Sequence, residues 1–177
     1  MITIEAPQSI ASSSLSAITR PNVKRFLARA QAAAGLTGDV HVLLADDATL
    51  KRLNRAFRGK NQATDVLSFP AGASTVFYGE PHTELAGDLA ISLETAARQA
   101  ARFGHTLADE VRILLLHGLL HLSGFDHETD SGEMAAREAE LRQQLGLPTG
   151  LIARTAKPAA RVSAVPAKRV AAGRARA

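Results

Sequence analysis

Ile2-Thr3-Ile4 alternates apolar and polar side chains with the period of a strand. The same reading makes Val40-His41-Val42-Leu43-Leu44 a second strand, Val66-Leu67-Ser68-Phe69 before Pro70 a third and Leu89-Ala90-Ile91 a fourth. Between them the period lengthens to that of helices. Thr19 followed by Pro21 opens a helix through about Ala34, closed near Gly35. Asp46 or Asp47 caps a short one carrying Leu50, Leu53 and Phe57, which ends at Gly59, and Ser92 caps another to Gly104. Thr106, with Asp109 three residues on, starts a fourth helix. Leu107, Val111, Ile113, Leu114, Leu115, Leu116, Leu119, Leu120 and Leu122 make that helix apolar nearly all round, which places it in the middle of the fold. A last amphipathic helix spans about Gly132 to Leu145, and Ala71 to Glu84 reads as a flexible loop. The expectation is an α/β fold: a small mixed sheet packed with about five helices, one of them central.

The central helix carries the chemistry. His117 and His121 stand four apart and share a face. Gly124 suits the left-handed turn that ends many helices and lets the chain double back, so His127 can approach as a third ligand. Three neutral imidazoles leave one tetrahedral position open for water or substrate, as in catalytic zinc sites, whereas structural sites are usually closed by four protein ligands. Metzincin proteases share this spacing, but their residue after the first histidine is a glutamate base. Here it is Gly118, which cannot take a proton. Singly, each histidine would read as a core or surface residue; three in this register read as a metal site.

A chain of 177 residues, 46% apolar, is enough for one domain with a sizeable core. With no cysteine, disulfides and thiolate zinc sites are excluded, so zinc must be held by His, Asp or Glu. No leader pattern and no apolar run of membrane-spanning length stands out, which predicts a cytoplasmic protein without a membrane partner. The net charge of +4 hides an asymmetry. Seven of the 21 cations (Arg154, Lys157, Arg161, Lys168, Arg169, Arg174 and Arg176) lie after residue 153 with no acid among them, leaving 14 against 17 acids, or −3, before it. The expected division is a metal-dependent domain over residues 1–150 and a basic, Ala- and Pro-rich tail over 151–177. That tail cannot build a core and is expected to be disordered, and it suits attraction to phosphates.

A second constellation precedes the third strand. Arg58 offers a planar fork matched to phosphate oxygens, and Lys60 adds a point charge beside it. Alone this is an ordinary charged loop. Combined, Leu53-Asn54, Phe57-Arg58-Gly59-Lys60, Thr64-Asp65-Val66-Leu67-Ser68-Phe69-Pro70, Gly87-Asp88-Leu89-Ala90-Ile91 and the His117 to His127 run closely resemble the YbeY family of bacterial endoribonucleases and rRNA maturation factors. The resemblance covers about Leu43 to Leu145. It implies a small α/β metalloprotein with one zinc-type ion, acting on RNA in 16S rRNA 3′-end processing and ribosome quality control. It places metal ligation on His117, His121 and His127, and a functional arginine on Arg58.

A three-histidine metal can polarise a phosphoryl oxygen and acidify a water. Arg58 would then stabilise charge growing on the remaining oxygens, with Lys60, Ser68 and Asp88 as substrate contacts. The nucleophile stays open between a metal-activated water and the RNA 2′-OH. Asp126, Glu128 and Asp88 are further candidates for a proton acceptor or a partner of a ligand, while His41, His82 and His105 read as structural or solvent-exposed. Aromatics at 4% argue against a broad stacking platform, so phosphate contacts and RNA shape are the expected basis of recognition. Two other readings fit the residues: a metallohydrolase of another class such as a peptidase, and a ribosome-assembly factor whose metal is structural.

Overall fold

The computed structural model describes residues 1–71, 85–127 and 129–148. Among these residues four strands, β1 (Ile2–Ile4), β2 (Asp39–Ala45), β3 (Val66–Pro70) and β4 (Leu85–Ser92), form one sheet in the order β1-β2-β4-β3. β1 and β4 run parallel to β2, and β3 runs antiparallel to β4, with Ser68 opposite Leu89. The sheet is mixed, as expected. β4 is longer than its apolar run because it is paired on both sides.

Six helices among the described residues surround it: α1 (Ser12–Leu15), α2 (Arg20–Ala34), α3 (Asp47–Arg58), α4 (Leu93–Phe103), α5 (Leu107–Leu122) and α6 (Glu133–Leu145). Four begin where a side chain accepts an N-terminal amide: Thr19, Asp46, Ser92 and Thr106. Asp46, not Asp47, caps α3; Asp47 sits inside the first turn and accepts from Ser92, Thr95 and Arg98 instead. The helix beyond the expected five is α1, a single turn without a side-chain cap.

Strand alternation divides the core. Val40, Val42 and Leu44 of β2 with Leu89 and Ile91 of β4 face a large cluster built with α2, α4 and α5. On the other face Ala45, Leu67 and Ala90 pack with Leu50 of α3. A third cluster joins Leu116 and Leu120 of α5 to Met134 and Leu141 of α6. Helix α5 therefore lies between sheet and α6, with twelve of its residues between Leu107 and Leu120 buried, as the apolar pattern requires. Among the described residues no helix is long and apolar enough to cross a membrane. The loop expected from Ala71 to Glu84 and the tail over 151–177 lie, but for Ala71, outside the described residues.

Candidate metal centre

The last turn of α5 sets the geometry of the site. Gly124 has φ of +92°, its amide donates to the His121 carbonyl, and the Phe125 amide donates to the Leu120 carbonyl. This is a Schellman cap, with Phe125 packed against the cluster that contains Leu120. A side chain at Gly124 would be strained in that conformation. The reversal returns His127 to the helix: the imidazole centroids lie 4.8 Å (His117–His121), 5.2 Å (His117–His127) and 5.1 Å (His121–His127) apart. One ligand atom from each lies within 4.8 Å of the others.

The tautomers follow from the partners. His121 Nδ1 lies 3.0 Å from the Phe125 carbonyl, which can only accept, so the proton is on Nδ1. His117 Nδ1 lies 3.0 Å from the Glu138 carboxylate, which Arg142 holds from the other side at 2.9 Å. Both Nδ1 atoms donate, which leaves both Nε2 lone pairs facing each other across 3.2 Å. Burial, then the neighbouring imidazoles of His117 and His127, push His121 down to about 4, so it is neutral at pH 7. Two acceptors held face to face repel unless a cation lies between them. Imidazoles on one tetrahedral zinc would place their nitrogens about 3.3 Å apart. His127 Nδ1 is buried with no hydrogen-bond partner, the kind of orphan that a ligand bond satisfies. The residues fit a metal ion.

Glu138 and Arg142 were not legible as part of this site. They lie four apart on α6 and are 1% and 3% exposed, sharing the face of Met134 and Leu141. Their signal was there: an acid and a base at apolar-stripe positions of an amphipathic helix are either errors or fixed by a buried partner. A carboxylate on the far nitrogen of a ligand histidine fixes the ring and raises its basicity.

The histidines open on a cleft of about 820 Å³ that runs along the edge strand β3, from Thr64 to Pro70. Its floor is the end of α5 with the Phe125 to His127 turn. Its opposite wall is the end of α3, where Phe57 and Arg58 line it. Gly59, with φ of +68°, stops α3 there, and Asn54, 2% exposed, donates through Nδ2 to the Gln62 carbonyl at 2.8 Å. That bond ties the loop carrying Lys60 to the helix. Ser68 also lines the cleft, its Oγ 3.4 Å from the Gly118 carbonyl.

Arg58, Ser68 and the three histidines thus meet in one cleft, and Asp126 joins them. Lys60, exposed on the loop after α3, is not among the lining residues. Nor is Asp88. It is the register partner of His41 on β2, with which it pairs at 3.1 Å, and strand alternation turns it away from Leu89, the neighbour that meets α5. His105 pairs with buried Glu110, and both His82 and Glu128 lie outside the described residues.

Gly118 has a steric reason. A Cβ there would come within 2.7 Å of Leu89 Cδ2 and 3.3 Å of Ser68 Oγ, so a side chain on α5 at this point would have to displace the Leu89 side chain. A glutamate base in the metzincin position would fit only with Leu89 and Ser68 pushed aside.

The chain is similar to known proteins over most of its length. The family model of Endoribonuclease YbeY matches residues 2–146. The endoribonuclease YbeY of Koribacter versatilis is 51% identical over 145 residues, covering 82% of this chain and 90% of its own. That of Solibacter usitatus is 50% identical over 137 residues, covering 77% and 86%. A Thermotoga maritima protein solved in solution superposes with a TM-score of 0.51 at 28% identity, covering 82% of this chain and 89% of its own.

Proposed function

This chain belongs to the endoribonuclease YbeY family, and from that membership we propose that it is a single-strand-directed, metal-dependent endoribonuclease with zinc in the three-histidine site. Its substrate on this reading is the 3′ end of 16S rRNA in the 30S subunit, processed in the cytoplasm during ribosome maturation and quality control. One observation carries the chemical part: two imidazole Nε2 lone pairs facing each other at 3.2 Å, in the same cleft as Arg58.

His117, His121 and His127 would hold the ion. When bound, it supplies Lewis-acid polarisation of a phosphoryl oxygen and an acidified water. Glu138 and the Phe125 carbonyl keep the Nδ1 protons in place, so that the Nε2 atoms of His117 and His121 stay available as ligands. Arg58 presents its fork to the phosphoryl oxygens that gain charge as the P–O bond breaks. Ser68 would hold a sugar or phosphate oxygen, and Lys60 a phosphate further along the strand. Gly118 leaves no base where metzincin peptidases need one, which favours RNA over peptide substrates.

Metal-quantified protein assayed on single-stranded RNA and on a peptide library tests the reading. Chelator-sensitive RNA cleavage with intact peptides is expected. Peptide cleavage without RNA cleavage, or RNA binding without metal-dependent turnover, would overturn it. Cleavage that persists on a substrate with one 2′-deoxy sugar at the break assigns the nucleophile to water.

A further inference from the structure

Leu50, Leu53, Asn54 and Phe57 share one face of α3, at the spacing of a core-facing stripe. Leu50 is fully buried and Asn54 nearly so, yet Phe57 is 68% exposed. The stripe runs past the end of the core and out over the cleft, where Phe57 precedes Arg58 and both line the wall. The other described large apolar side chains with high exposure have different settings. Met1 is the first residue, Leu85 starts β4, and Phe103 lies under the Arg102 guanidinium at 5.4 Å and stacks on His105.

Phe57 meets Phe69 of β3 edge to face, with centroids 4.9 Å apart at 62°. That contact sets the tilt of the ring without covering both of its faces. An aromatic face held open beside a guanidinium presents two complementary surfaces to a nucleotide, a π-face for the base and a fork for its phosphate. A base-paired nucleotide cannot use the first, because its faces are already stacked on its neighbours.

We propose that Phe57 is the platform on which this enzyme stacks one unpaired RNA base next to the phosphate held by Arg58, and that this ring makes the cleft select single strands. The proposal rests on the endoribonuclease reading and adds a specificity residue to it. Because every base has a π-face, the platform selects for the unpaired state and not for sequence.

The chain contains no tryptophan, so Phe57→Trp makes a unique indole fluorophore at the platform. Full-length wild type, Phe57→Leu and Phe57→Trp, each with its metal content measured, are titrated with single-stranded oligouridylate and with an abasic ribose-phosphate oligomer of equal length. Leu keeps the apolar contact with Phe69 but has no π-face. Phe57→Leu is expected to bind oligouridylate on the order of tenfold to a hundredfold more weakly with unchanged metal, and Phe57→Trp to bind like wild type. Oligouridylate should quench the indole emission of the Phe57→Trp variant and the abasic oligomer should not. Wild-type affinity in Phe57→Leu, or equal quenching by both oligomers, would overturn the platform while wild-type cleavage of the same oligonucleotide leaves the enzymatic reading standing. A wild type that neither binds nor cleaves it would overturn both.

Discussion

The two sides of the cleft are built by opposite means. The histidine side is buried and held from several directions: α5 lies between the sheet and α6, and each helical imidazole is fixed by a partner from another element or from the turn beyond. The Arg58 side is one exposed helix end, steadied by Asn54, whose side chain bonds the following loop. A metal site must hold its ligands within tenths of an ångström before the ion arrives, and so it needs support from outside the helix that carries them. A wall that receives a flexible, charged polymer needs exposed cations more than rigidity. The comparison teaches that binding of the ion and binding of the strand are separable here, and substitutions should separate them.

The largest effect belongs to the histidine side. His117→Ala, His121→Ala and His127→Ala are each expected to lose the ion and to reduce RNA cleavage to background, since two imidazoles cannot complete the shell. Metal analysis of purified variants checks this. Full occupancy in all three would break the comparison at its root, because the buried side would then have no metal to hold.

Across the cleft, Arg58→Lys should leave fold and metal content as they are and cost roughly a hundredfold to a thousandfold in turnover, because an ammonium cannot reproduce the bidentate fork. Steady-state kinetics beside metal analysis separate the two sides directly. Near-normal turnover would mean that the exposed wall supplies only positive charge.

Much of this was legible from local signals. Caps are written in single residues, so Thr19, Ser92 and Thr106 announced α2, α4 and α5 correctly, and the Gly124 turn followed from the same logic. The three histidines were readable because α-helical spacing and one glycine bring them together. Features that depend on distant packing were not readable. Glu138 stands 21 residues from His117 and reaches it only because α6 crosses α5. Asp88 sits beside β4 residues that do face α5, and the pairing of β2 with β4, which gives it His41, cannot be seen in the order of residues. In the sequence Phe57 reads as one more apolar residue of α3, since a stripe says nothing about where the core ends.

Glu138 gives the next effect. Glu138→Gln keeps the shape but removes the charge that faces both His117 Nδ1 and Arg142, and should weaken metal affinity by about tenfold to a hundredfold without touching the Arg58 wall. Glu138→Ala goes further, leaving Arg142 buried without its carboxylate, and should lower stability by about 3–5 kcal/mol. Chelator competition measures the first and thermal or denaturant unfolding the second. Unchanged metal affinity in Glu138→Gln would show that α5 alone holds the ligands.

The smallest effect is the most local, the proton affinity of His121 in metal-free protein. Burial is the first cause of its depression to about 4 and the two neighbouring imidazoles the next, with the Phe125 carbonyl and Asp126 opposing them. An ordinary histidine takes up its proton near 6.5, so as pH falls below that value the unfolded chain binds a proton at this position that the folded chain refuses. Stability from this group is therefore complete above about 6.5 and declines as pH falls toward about 4, where the folded state also protonates. NMR of the metal-free imidazoles against pH should place the His121 midpoint near 4, with a parallel loss of unfolding free energy over the same interval. A midpoint near 6.5 would mean that water reaches the histidine side as freely as it reaches Arg58, and the contrast between a buried and an exposed wall would fail at the residue where it is sharpest.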